Sequence, residues 1–160
     1  MLYSMRLILE CNTQLFLNVL NGVTDEIALK RVNQKSNSIL FLAAHLLDAR
    51  YFLANYTGNS IECPFKELFR KVNSAKDALL LPDLSKIIAE WNNISPLLIN
   101  HLEHLPNEVL QKTSEMSFPI NDKTIMGGIA FLVQHESYHI GQIAFLRKLH
   151  GLPAMSYGEK

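Results

Sequence analysis

Four long stretches of this chain place apolar residues at helical spacing, and none alternates apolar with polar residues as a half-buried strand must. Between Leu2 and Leu20 the recurring residues are Met5, Ile8, Leu9, Phe16, Val19 and Leu20, and Asn21-Gly22 supplies a stop. A second helix is predicted from about Ser36 to Tyr56, capped by Ser36 or Ser38 and ended by Gly58-Asn59. Its stripe carries Phe41, Leu42, His45, Ala49 and Phe52. The third starts at Asp83, a good capping residue, and runs through Leu84, Ile87, Trp91, Ile94, Leu98 and Leu102. Pro96 inside it predicts a kink near Asn92 to Ser95 or a break into two helices. The fourth runs from about Thr124 to His150, closed by Gly151 and Pro153. Each apolar stripe must be covered by another element, so the simplest all-α packing is a four-helix bundle. Thr57 to Leu81 reads as a longer crossover between helices two and three holding one or two helical turns, and residues 106–123 as a loop.

At 160 residues the chain has the length of one domain, covering 1–160, and its 48% hydrophobic composition is ample for a core. Fifteen Lys+Arg balance fifteen Asp+Glu, so no positive field draws in a nucleic-acid backbone. The most apolar stretches, Ile39 to Leu47 and Ile125 to Val133, fall far short of the ~20 residues of a membrane span. Arg6 and Glu10 interrupt the first apolar stretch, which does not read as a secretion signal. Cys11 and Cys63 are too few for a disulfide framework or a thiolate zinc site, and a reducing cytoplasm is the expected compartment. The apolarity of helix one and the breadth of the apolar face on helix two predict a homodimer.

The chemistry concentrates in Gln134-His135-Glu136-Ser137-Tyr138-His139-Ile140-Gly141-Gln142. His135 and His139 stand one turn apart, so both imidazoles project from one face at a spacing that suits a single metal ion. That face also carries Ile125, Leu132 and Leu146, which turns the pair towards the bundle axis. Two imidazoles stacked in an apolar layer are costly unless something binds them. His45, between Phe41 and Ala49 on the stripe of helix two, is the third candidate ligand if helices two and four face each other. Three neutral ligands on a divalent cation leave a place for a water or thiol and lower its pKa. Asp48, one turn after His45, and Glu136 are the acidic candidates for acid/base work or for orienting a ligand.

The string His135-Glu136-x-x-His139 is also the zincin protease signature, in which the glutamate is the base. Against a metallohydrolase stand Gln142 and Phe145, where the longer variant has glycine and histidine, and the absence of a sheet pattern. The one downstream acid at suitable spacing, Glu159, sits beyond Gly151, Pro153 and Gly158.

A helix-two run His-Leu-Leu-Asp-Ala-Arg-Tyr-Phe resembles the DinB-like superfamily, as does a last helix reading His-Glu-x-Tyr-His-x-Gly-Gln-Ile followed by Leu-Arg and a closing Gly-Leu-Pro. The resemblance spans nearly the whole chain. It implies a four-helix bundle holding a divalent ion, commonly nickel or zinc, through His45, His135 and His139. Ile140 stands where members often carry Arg, so no anion contact is implied from that position. Some relatives are thiol-dependent transferases or isomerases, which implies a small-molecule substrate and a low-molecular-weight thiol. The alternative is a non-catalytic metal-binding or stress-related protein. Three nitrogen ligands suit zinc, nickel, copper and iron alike. His101 and His104, Gly127-Gly128, Tyr51, Tyr138 and both cysteines read as structural features.

Overall fold

The computed structural model describes residues 2–72 and 75–158. Its helices are α1 (Leu2–Leu20), α2 (Asp25–Leu29), α3 (Ile39–Tyr56), α4 (Lys66–Phe69), α5 (Leu84–Glu103), α6 (Asn107–Leu110) and α7 (Ile125–Leu149). A 3₁₀ turn, Ala75–Leu80, precedes α5. The four long helices, α1, α3, α5 and α7, form the bundle, and no strand occurs among the described residues. Around its square, α1 packs on α5 and α7, and α3 packs on the same two, so α1 and α3 are diagonal and α7 lies beside α3.

Local chemistry sets the helix ends. Ser38 caps α3 by accepting from Phe41 N at 3.2 Å, and Thr124 caps α7 by accepting from Gly127 N at 3.3 Å. Gly58 and Gly151 turn the chain out of α3 and α7 with φ of 93° and 82°, in the left-handed region that glycine enters without steric cost. Asp83 does not cap α5 with its side chain. It pairs with Lys86 instead, and Asp25 of α2 accepts from Leu84 N at 3.2 Å. The predicted break at Pro96 does not occur either: α5 is one helix of 20 residues. Pro96 and Asn92 lie on its solvent side, where water can hold the carbonyl that proline leaves without a donor. The 106–123 loop contains the single turn α6 and an isolated bridge between Thr113 and Thr124. Gly127 and Gly128 serve close packing, since a Cβ on either would run into the Asp122 carbonyl or the Tyr56 ring.

The apolar face of α3 is covered within the chain, because α2, α4 and the 3₁₀ turn pack on it beside α5 and α7. Its breadth therefore does not require a second copy. Outward-facing apolar side chains remain on α1, where Tyr3, Leu7 and Ile8 are exposed. No helix among the described residues is long and apolar enough to cross a membrane.

At the centre lies a buried charge pair. Arg50 of α3 makes a two-pronged ion pair with Glu136 of α7, Nε to Oε2 at 2.8 Å and Nη2 to Oε1 at 2.9 Å. The side chains are 0% and 4% exposed. The same guanidinium donates to the Leu9 carbonyl of α1 at 3.2 Å and to the Ser95 hydroxyl of α5. It also lies over the Trp91 ring, 3.5 Å from its centroid, while Phe16 stacks against Trp91 at 3.9 Å. One side chain thus joins all four long helices. Removing one partner leaves the other charge buried and unmatched, so Glu136→Ala should cost about 3–5 kcal/mol of stability in urea unfolding. The apolar double variant Arg50→Met/Glu136→Leu should recover most of that loss.

Candidate metal centre

His45 sits mid-way along α3, and His135 and His139 one turn apart on α7. The pairing of these two helices brings the three rings together. Their Nε2 atoms face one another: His45 to His135 at 3.1 Å and His139 to His135 at 3.0 Å. The rings meet edge-on, at interplanar angles of 74°, 87° and 78°. Phe41 stacks on His45 and Phe131 tilts against His135, each one turn earlier on the same helix, and Tyr138 stands edge-on to His139.

An imidazole nitrogen offers either one N–H or one lone pair. His135 Nε2 therefore has a single N–H or a single lone pair to serve two short contacts, and of the three ring nitrogens at least two are necessarily alike. A cation drawing all three lone pairs removes that conflict. Two nitrogens bound about 2.05 Å from one ion stand roughly 2.9–3.4 Å apart for angles between 90° and tetrahedral, which is the spacing of His135 Nε2 from each of the other two. Burial pushes the His45 pKa down to about 4, helped by the neighbouring His139 and His135 rings. His135 and His139 are also lowered, chiefly by burial, although the Gln142 contact acts the other way on His139. At neutral pH the three rings are thus uncharged, and each has one ring nitrogen able to bind a cation. They form the one group of His, Cys, Asp and Glu side chains among the described residues placed to hold an ion.

The sequence profile of the DinB superfamily matches residues 8–143, most of the chain. This chain belongs to the DinB superfamily. DinB-like proteins bind metals, and the triad gives this member a group of side chains that can do so. No curated protein matches the chain.

The remaining predicted site residues are placed differently. Asp48 shares with His45 a cavity of about 80 Å³ whose other walls are Phe41, Ala44, Phe69, Val72 and Leu81. Burial there raises the Asp48 pKa above the ordinary carboxylate value. Glu136 does not reach the histidines. Rotated about 100° from His135 along the helix, it turns into the bundle, and both its oxygens are taken by Arg50. An acid/base role at the triad is therefore not available to it, and a HExxH hydrolase loses its base. Glu159 lies outside the described residues.

His101 Nε2 contacts the Thr57 carbonyl at 3.0 Å and His104 Nδ1 the Asn100 carbonyl at 2.8 Å, as structural histidines do. Tyr51 pairs with Glu90. Cys11 and Cys63 are both free, and burial pushes the Cys63 thiol up to about 11, away from reactivity. Sequence reasoning missed the Arg50–Glu136 pairing. Its signal was present: Glu136 is the single acid of α7, and Arg50 the single arginine or lysine of α3.

Each triad imidazole binds a proton less readily in the folded chain than in the unfolded one. In the metal-free protein their stabilising effect is therefore complete above pH 6.5 and is lost as pH falls through the window from 6.5 towards about 4 set by His45. Thermal melts of metal-free protein between pH 7.5 and 4 should show this fall, and His45→Leu should make it shallower.

Proposed function

We propose that this DinB superfamily member is a metal-dependent enzyme acting on a small molecule by transfer of a low-molecular-weight thiol. His45, His135 and His139 would hold the ion. The observation that carries the reading is the convergence of three imidazoles from two helices, with His135 Nε2 3.0–3.1 Å from the Nε2 atoms of both His45 and His139, two contacts that one N–H or one lone pair must serve. A divalent ion there, nickel or zinc first and iron or copper next, would supply a Lewis acid that eases deprotonation of a thiol or water.

The chain's own part is to supply neutral ligands, to exclude water and to take up the proton. The aromatic and aliphatic walls around His45 limit solvent, and Asp48 is the carboxylate in that cavity. Its raised pKa makes it a better proton acceptor than an ordinary aspartate. Two free cysteines fit work in a reducing cytoplasm. A second copy of the chain is proposed to cover Tyr3, Leu7 and Ile8 of α1. Light scattering at tens of micromolar should then give a dimer, and a monomer alone would count against it.

One observation favours the non-catalytic alternative. The cavity beside His45, about 80 Å³, is far smaller than the ~300–1,000 Å³ that small-molecule sites usually offer. Elemental analysis of protein purified without a polyhistidine tag should find stoichiometric nickel or zinc, and His135→Ala should abolish it. Unchanged metal content and melting temperature in that variant would overturn the metal reading. Screening the loaded protein with thiols and electrophiles should give turnover that Asp48→Asn lowers by about 100-fold without loss of metal. Full occupancy with no turnover for any pair would favour the non-catalytic protein.

A further inference from the structure

Of the three imidazoles, one is held from behind and one is not. His139 Nδ1 lies 2.6 Å from Gln142 Oε1, and Gln142 Nε2 donates to the Tyr138 hydroxyl at 3.0 Å. His135 Nδ1, by contrast, is buried without a partner. A neutral imidazole carries its one proton on either nitrogen, and only the nitrogen without it can bind a cation. An amide oxygen behind Nδ1 draws the proton there and leaves Nε2 as a lone pair aimed at His135, 3.0 Å away. With the amide turned over, its N–H would donate to Nδ1, move the proton to Nε2 and silence that nitrogen as a ligand. The Tyr138 hydroxyl accepts from the amide nitrogen at 3.0 Å and so holds the amide group beside the ring. Gln142 follows His139 by three residues on α7, so the helix itself delivers the oxygen to the ring.

We propose that Gln142 is a positioning residue of the metal centre, selecting the His139 tautomer whose Nε2 is free for the ion, with Tyr138 holding the amide in place. The inference rests on the metal reading above. Gln142 faces a surface groove of about 550 Å³, shared with Tyr138, Gly141 and Phe145, and not the core. Leucine in its place therefore leaves the bundle folded.

The test has two readouts. In the metal-free protein, ¹⁵N-resolved NMR of the His139 ring should show the Nδ1-protonated tautomer, and Gln142→Leu should shift the ring towards the Nε2-protonated one. In Co²⁺ titrations followed by visible absorption, Gln142→Leu should weaken binding 10- to 100-fold and alter the band shape, with far-UV circular dichroism unchanged. Gln142→Glu, whose carboxylate accepts the same proton, should restore wild-type affinity or better, and Tyr138→Phe should cost only a few-fold. Gln142→Leu that binds Co²⁺ within twofold of wild type with the same spectrum, or failure of Gln142→Glu to rescue, overturns this inference alone. A wild-type chain that takes up no Co²⁺ overturns the metal reading and this inference with it.

Discussion

A guanidinium withdrawn from water at the middle of a helical bundle must find several acceptors at once, and the architecture is arranged around meeting that demand. Arg50 finds a carboxylate on α7, a hydroxyl on α5, a main-chain carbonyl on α1 and an indole face on α5. Because the pair is two-pronged, sliding α3 against α7 by a turn would strand both charges in an apolar interior, at a cost of several kcal/mol. Register between the two helices is thereby constrained where it matters for chemistry. Glu136 is the neighbour of His135, and Arg50 lies five residues beyond His45, so the ion pair and the triad occupy adjacent positions on one helix interface.

The same interface carries two polar clusters with opposite solutions to desolvation. In the ion pair each guanidinium nitrogen and each carboxylate oxygen has a partner within the protein. In the triad the donors and acceptors do not balance: three ring nitrogens share a small volume, and one Nδ1 has no partner at all. A closed cluster reads as structural and an unbalanced one as a site for something from outside. The aromatic rings of Phe41, Phe131 and Tyr138 around the histidines sharpen that contrast, since they wall the nitrogens without offering them a conventional partner.

Much of the fold was legible because helix formation and helix ends are local properties. The α1 span, the Ser38 and Thr124 caps and the glycine exits follow from side chains and φ preferences within a few residues. The two failures were local rules applied without knowledge of the surroundings. Of the kink or break that Pro96 suggests, the break does not occur where water can reach the freed carbonyl, and Asp83 pairs with Lys86 while Asp25 meets the helix end. The triad was legible for a related reason: His135 and His139 share a face by helix geometry alone, and His45 lies on its own helix's apolar stripe. Glu136 was not. Its rotation of about 100° from His135 was visible, but where that direction led depended on which helix stood there.

By itself the sequence determined four amphipathic helices, their limits, and a pair of imidazoles bound to project together, because each of these depends on periodicity and on bonds within one turn. Only the tertiary structure decided that α3 lies beside α7, that His45 meets His135 within hydrogen-bonding distance, and that the glutamate of the same motif belongs to an arginine and not to a metal. Residues separated by 86 to 90 positions meet through helix packing, and packing is settled by the whole interior at once, with burial of charge as its strictest condition.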